Sequence, residues 1–96
     1  MTTPNTPLQL HQVPAGRRLD FAQVPGCYPY VYRRCHYQAW ECVARNAHSP
    51  FLDGTPLPTD APTEYVVLYC DAAGGVAGAT AIVQATAGAA APRRRA

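Results

Sequence analysis

The chain of 96 residues contains no lysine, and its single serine, Ser49, its single isoleucine, Ile82, and its two glutamates, Glu41 and Glu64, are scattered. Each scarcity excludes something. Ser49 precedes a proline and lies in no G-x-S-x-G elbow, and the two glutamates fall in separate segments. No nucleophile, base and orienting group are brought together by any pattern in the chain, so an enzyme is not expected. Gly74, Gly75 and Gly78 do not match G-x-G-x-x-G, which argues against a phosphate cradle. The longest strongly apolar run, Tyr65 to Cys70, falls far short of the about 20 residues a spanning helix needs. The Met-Thr-Thr-Pro start has neither a basic nor an apolar region of the secretory kind, so a chain made in the cytoplasm, with no membrane partner, is the expectation.

Positive charge comes from arginine alone. Formal net charge is +2, and Arg93, Arg94 and Arg95 supply three of the positive charges, leaving 2 − 3 = −1 for the rest. A nearly neutral body lacks the basic face of a nucleic-acid-binding domain, so nucleic acid is an expected partner only through the Arg tail.

What the chain does have is concentrated. All four cysteines and eight of the nine aromatic residues lie between Cys27 and Cys70. The flanks are a Pro/Thr-rich arm over 1–7 and an Ala-rich basic tail over 87–96, leaving one domain over 8–86 with a Pro-rich loop at 49–63. A packed unit this small is marginal and often recruits disulfides, a metal or a partner.

The expected fold is a small α+β or mainly-β domain. Leu8–Val13 and Leu19–Phe21 alternate around a Pro14-Ala15-Gly16 turn, giving two short strands. Residues 64–71 form the best strand, with Tyr65, Val67 and Tyr69 on one face and Val66, Leu68 and Cys70 on the other. Both faces are apolar, so it is expected in the centre of a sheet covered on both sides. A turn at 72–75 returns the chain as a strand over 76–86, completing an antiparallel hairpin. Tyr30 to Arg45 contains no turn residue. A short strand at 28–32 running into one helix near 34–46 is the preferred reading, because Cys35, Ala39, Cys42 and Val43 then share a face and Glu41 and Arg45 form an i, i+4 pair. A long bent strand is the alternative.

The cysteines invite three readings. As zinc ligands, Cys27, Cys35, Cys42 and Cys70 with His36 lack the close pairs that structural zinc sites use. Cys35 and Cys42 are too far apart on a helix, and on opposite faces of a strand, to share an ion. No cofactor is therefore expected. As disulfides, the four allow three pairings, with Cys27–Cys70 able to staple the ends of the block; a reducing cytosol keeps all four as thiols. As a nucleophile, Cys35 beside His36 proves nothing, since neighbours in sequence point apart.

Partner contact is the stronger expectation. Tyr28, Tyr30 and Tyr32 line one strand face, interleaved with Arg33 and Arg34, and tyrosine and arginine are enriched at protein interfaces. Phe51, Leu52 and Leu57 would be wasted in a floppy loop and are expected to pin it to the core or to a neighbour. Arg93, Arg94 and Arg95 complete the candidate contacts. Together these features point to an accessory subunit of a large assembly, homo- or hetero-oligomeric, such as a phage or virus capsid-cement or tail component. Such a subunit is made in the cytoplasm and carried in the virion. The alternative is a small zinc- or nucleic-acid-binding regulator.

Overall fold

A computed structural model describes residues 5–35, 38–58 and 61–85, and these form two β-sheets packed face to face. The strands are β1 (Asn5–Thr6), β2 (Leu8–Val13), β3 (Gly16–Phe21), β4 (Tyr28–Cys35), β5 (Glu41–Ala44), β6 (Phe51–Asp53), β7 (Thr63–Cys70), β8 (Val76–Thr80) and β9 (Val83–Ala85). One sheet has the order β1-β8-β7-β4-β5, with β9 also paired to β7; the other has the order β2-β3-β6. Only β1 and β8 run parallel.

The mainly-β alternative is therefore the one that folds. Among the described residues there is no helix, and the segment expected to be helical over 34–46 is divided instead. Its start extends β4 to Cys35 and its end forms β5. The reason is β4's partner: all eight of its residues pair with β7, from Tyr28 opposite Cys70 to Cys35 opposite Thr63. Eight residues of ladder and the β-prone Tyr-Val-Tyr run outweigh one helical charge pair. Glu41 meets Arg33 across the β4–β5 ladder rather than Arg45 along a helix.

The expected hairpins form. β2 and β3 pair from Leu8 opposite Phe21 to Val13 opposite Gly16. Glycine is required at position 16: its φ is +144°, and a Cβ there would stand 2.2 Å from the Asp53 carbonyl oxygen. At the β7–β8 turn, Asp71 Oδ1 accepts from the N–H groups of Ala73 and Gly75. The returning strand is broken between Thr80 and Val83. The Thr80 hydroxyl takes over there, accepting from the Val67 N–H at 3.0 Å and donating to the Ala81 carbonyl at 2.9 Å. Asn5 and Thr6, expected in a free arm, form β1 on β8. The loop expected over 49–63 contains β6, which joins β3 with Arg17 opposite Asp53.

The core lies between the sheets. Leu8, Leu19 and Phe21 from one meet Val31, Tyr65, Val67 and Tyr69 from the other, closed off by Ala47 and Ala85. Alternation explains the selection, since the odd-numbered residues of β7 and of β3 point inward. Phe51 and Leu57 pack against this core as expected, whereas Leu52, between inward Phe51 and Asp53, points to solvent.

Candidate functional site: an uncovered aromatic face

Two clusters of side chains stand out, one closed and one open. The closed one is polar and sits between the sheets. Arg17, at an inward position of β3, has a side chain only 5% exposed, and Asp53 on β6 is equally buried. Arg17 Nη2 lies 3.3 Å from Asp53 Oδ2, and Arg17 Nε donates to the Tyr65 hydroxyl at 3.2 Å. Tyr65 donates in turn to Asp53 Oδ2 at 2.5 Å. Arg33 of β4 reaches the same carboxylate at 2.9 Å and also donates to Thr55 Oγ1 and to Glu41. The cluster thus ties β3, β4, β6 and β7 together.

Burial alone would raise the Asp53 carboxyl, but hydrogen bonds from Thr55, Tyr65 and Arg33 outweigh it and hold the group well below the usual carboxylate range. Burial, then the bond to Asp53, pushes the Tyr65 phenol up to about 12. An acid held ionised at neutral pH and gripped by two guanidinium groups and a protonated phenol is fixed in place. The arrangement is a clamp. Arg33, expected at a partner contact, is committed to it.

The open cluster is the other face of the larger sheet. Tyr28, Tyr30, Tyr32 and Arg34 alternate along β4, and Glu64, Val66, Leu68 and Cys70 stand beside them on β7. The sequence pattern predicts this strand covered on both sides. In the fold only the inward face is buried, and the outward residues of β7 remain half-exposed. The physical reason is that among the described residues no helix forms and the second sheet can cover only one side of the first. Trp40 and Ile82 flank the two columns, and with Tyr32, Val66 and Leu68 they line a shallow groove of about 330 Å³. Ile82 in the groove is 52% exposed and Tyr28 at the far end of the tyrosine column 42%, high for large hydrophobic side chains.

One ion pair ends this face. Arg34 donates to Glu64 Oε1 through Nε at 2.9 Å and through Nη2 at 2.5 Å. Its guanidinium carbon stands 4.5 Å from the centre of the Trp40 ring. The bonds from Arg34, then from Gln84, hold the Glu64 carboxyl below its ordinary range. Tyr32 is pushed up by burial and by neighbouring Cys42. The face is thus aromatic and aliphatic, with a closed ion pair at one end and the Arg45 charge near enough to act on Tyr32.

Cys27 packs against the core beside Val24 and Tyr69, while Cys70, next along β7 from inward Tyr69, points to the outer face. The staple that this pair could form, one of three possible pairings, is absent: Cys27 packs towards the core while Cys70 points outward, and all four cysteines are free. Cys35 Sγ lies 3.6 Å from Thr63 Oγ1, and Cys42 is exposed on the edge strand. Among the described residues no three His, Cys, Asp or Glu side chains gather as a metal site would require. None of them forms a helix long and apolar enough to cross a membrane. His36 and Tyr37 lie outside the described residues, as do Arg93, Arg94 and Arg95 with the rest of the tail.

Sequence reasoning found Tyr28, Tyr30, Tyr32 and Arg34. It missed Trp40, Val66, Leu68 and Ile82 as members of the same face, having assigned the β7 pair to a buried side. It also missed Arg17 and Asp53. The signal for Arg17 was its parity with Leu19 and Phe21, which marks an inward position. No protein-family model, curated protein or solved structure matches this chain.

Proposed function

We propose that this protein is a structural interaction subunit without catalytic activity, an accessory component of a large assembly of the capsid-cement or tail kind in a phage or virus particle. The observation that carries this reading is the uncovered face of Tyr28, Tyr30, Tyr32, Trp40, Val66, Leu68 and Ile82. A chain of this size has little apolar surface to spare, and here a connected row of large side chains is left outside the core. Aromatic residues on such a surface supply contact area at low entropic cost. The clamp makes the sheet beneath them a firm platform.

Size fractionation of the native material tests the reading. The chain is expected to migrate with an assembly many times its own mass. The variant Leu68→Arg, which puts a charge in the middle of the face without touching the core, is expected to be released from it. Native chain found wholly at the mass of one or two copies would overturn the proposal.

A further inference from the structure

We propose that the uncovered face pairs with the same face of a second copy, as a two-fold sandwich in which β4 of each chain lies over β7 of the other. This rests on the reading above that the face is a docking surface, and it names the occupant.

Sheets can associate by their edges or by their faces, and the edges here are poorly suited. β5 carries a bulge, since Val43 has no counterpart between Val31 and Tyr32. β2 is bounded by Pro7 and Pro14, β6 has three residues and β1 two. Short strands, prolines and bulges are the features that prevent edge-to-edge pairing. The face has no such protection.

The layout of the face fits a copy of itself. Consider a two-fold axis in the interface, parallel to the strands and midway between β4 and β7. It carries each β4 column over the partner copy's β7 column. Residues in register share a height along the strands, so the pairs within one chain are repeated between chains. Tyr30 faces the partner copy's Leu68, and Tyr32 faces its Val66. A column of tyrosines meets the lower aliphatic column beside which the groove of about 330 Å³ runs. Trp40 and Cys42 come over the partner copy's Ile82.

Charge agrees with this geometry. Arg34 stands opposite Glu64 within the chain, so the same axis sets Arg34 of one copy over Glu64 of the other. The two ion pairs close into a ring of alternating sign, with no like charges facing. An axis perpendicular to the strands would instead lay this charged end over Tyr28 and Cys70. Packed sheets cross at about 30°, which leaves the central tyrosine–aliphatic contacts in place and the end charges within side-chain reach.

Size sets the strength. The eleven outward positions named above, at strand and residue spacing, cover about 350 Å² of flat sheet. Two copies together bury at least about 700 Å², below the roughly 1,200–2,000 Å² of stable specific interfaces and in the range of weak, transient ones. A dimer that forms and dissociates with concentration follows.

The test is sedimentation of the purified full chain from about 1 μM to about 1 mM, with circular dichroism checking that each variant is folded. Wild type is expected to rise towards twice the chain mass, and Leu68→Arg to remain monomeric. Arg34→Glu and Glu64→Arg each place like charges across the axis and are expected to be monomeric alone. Mixing the two variants restores opposite charges across the axis at both ends of the ring. An equimolar mixture is therefore expected to recover association at least tenfold over either alone. Wild type monomeric throughout, or a dimer that ignores Leu68→Arg, would overturn the inference. So would folded charge variants whose mixture gains nothing. A monomeric pure chain that still migrates with a native assembly would reject this pairing while leaving the docking function standing; a dimer with no larger native assembly would do the reverse.

Discussion

Asp53 is the residue on which the two sheets converge. It accepts from buried Tyr65, from Arg33 and from exposed Thr55, and faces buried Arg17. Because its pKa is depressed, the folded state holds fewer protons than the unfolded chain between the folded value and the unfolded value of about 3.9. Its contribution is complete above that unfolded value and declines as pH falls below about 4. Tyr65 acts with the opposite sign. Its pKa is raised to about 12, so its contribution is complete below the unfolded value of about 10 and is lost as pH climbs through the folded one. Asp53→Asn leaves two guanidinium groups short of a buried counter-charge and is expected to cost about 3–5 kcal/mol, read by urea unfolding at neutral pH. Tyr65→Phe is expected to cost about 1–3 kcal/mol, to flatten the alkaline fall in stability and, because its hydroxyl helps to hold the Asp53 carboxyl down, to shrink the acid fall less than Asp53→Asn does. An acid branch unchanged in Asp53→Asn would show that the clamp does not set it. The residues of this clamp were only partly legible in the sequence. Inward parity along Gly16–Phe21 exposes Arg17, but Asp53 sits in a segment of prolines and turn residues whose strand is only three residues long.

At the scale of elements, what the sequence made plain were β7, by its β-prone run apolar on both faces, and the shorter alternating stretches in β2 and at Leu19–Phe21 of β3. The error at 34–46 came from reading a segment by its own periodicity. Cys35, Ala39, Cys42 and Val43 do share a helical face, yet the competing term, a full-length ladder with β7, lies 28 residues away for the Cys35–Thr63 pair and leaves no local mark. The strand expected over 76–86 is likewise broken into β8 and β9 because the ladder register shifts there, from Tyr65 opposite Val83 to Leu68 opposite Ala79. Thr80 repairs that break by accepting the buried Val67 N–H. Thr80→Val keeps the shape and removes the acceptor. It is expected to destabilise by about 1–3 kcal/mol in urea unfolding, while Thr80→Ser, which retains the hydroxyl, is expected to lose less. Equal stability of the valine variant and wild type would mean that the hydroxyl does not support the joint.

The whole molecule is a two-sheet sandwich with one further apolar side left open. Composition suggested a small core flanked by contact surfaces, and alternation correctly put Tyr28, Tyr30 and Tyr32 on one face. Whether β7's second face was buried could not be read from β7 itself, because a strand covered by its own chain and one covered by a partner carry the same residues. Only the count of covering elements decides, and here β2, β3 and β6 suffice for one side. Cys42 reports on the other side directly, since it lies beside Tyr32 on the exposed edge strand. The most direct measurement is its rate of alkylation in Cys27→Ala/Cys35→Ala/Cys70→Ala chains, compared between the associated state and the Leu68→Arg monomer. The account predicts at least tenfold slower labelling of Cys42 in the associated state. Equal rates in the two states would show that association leaves this face open, and would contradict the claim that it is a docking surface.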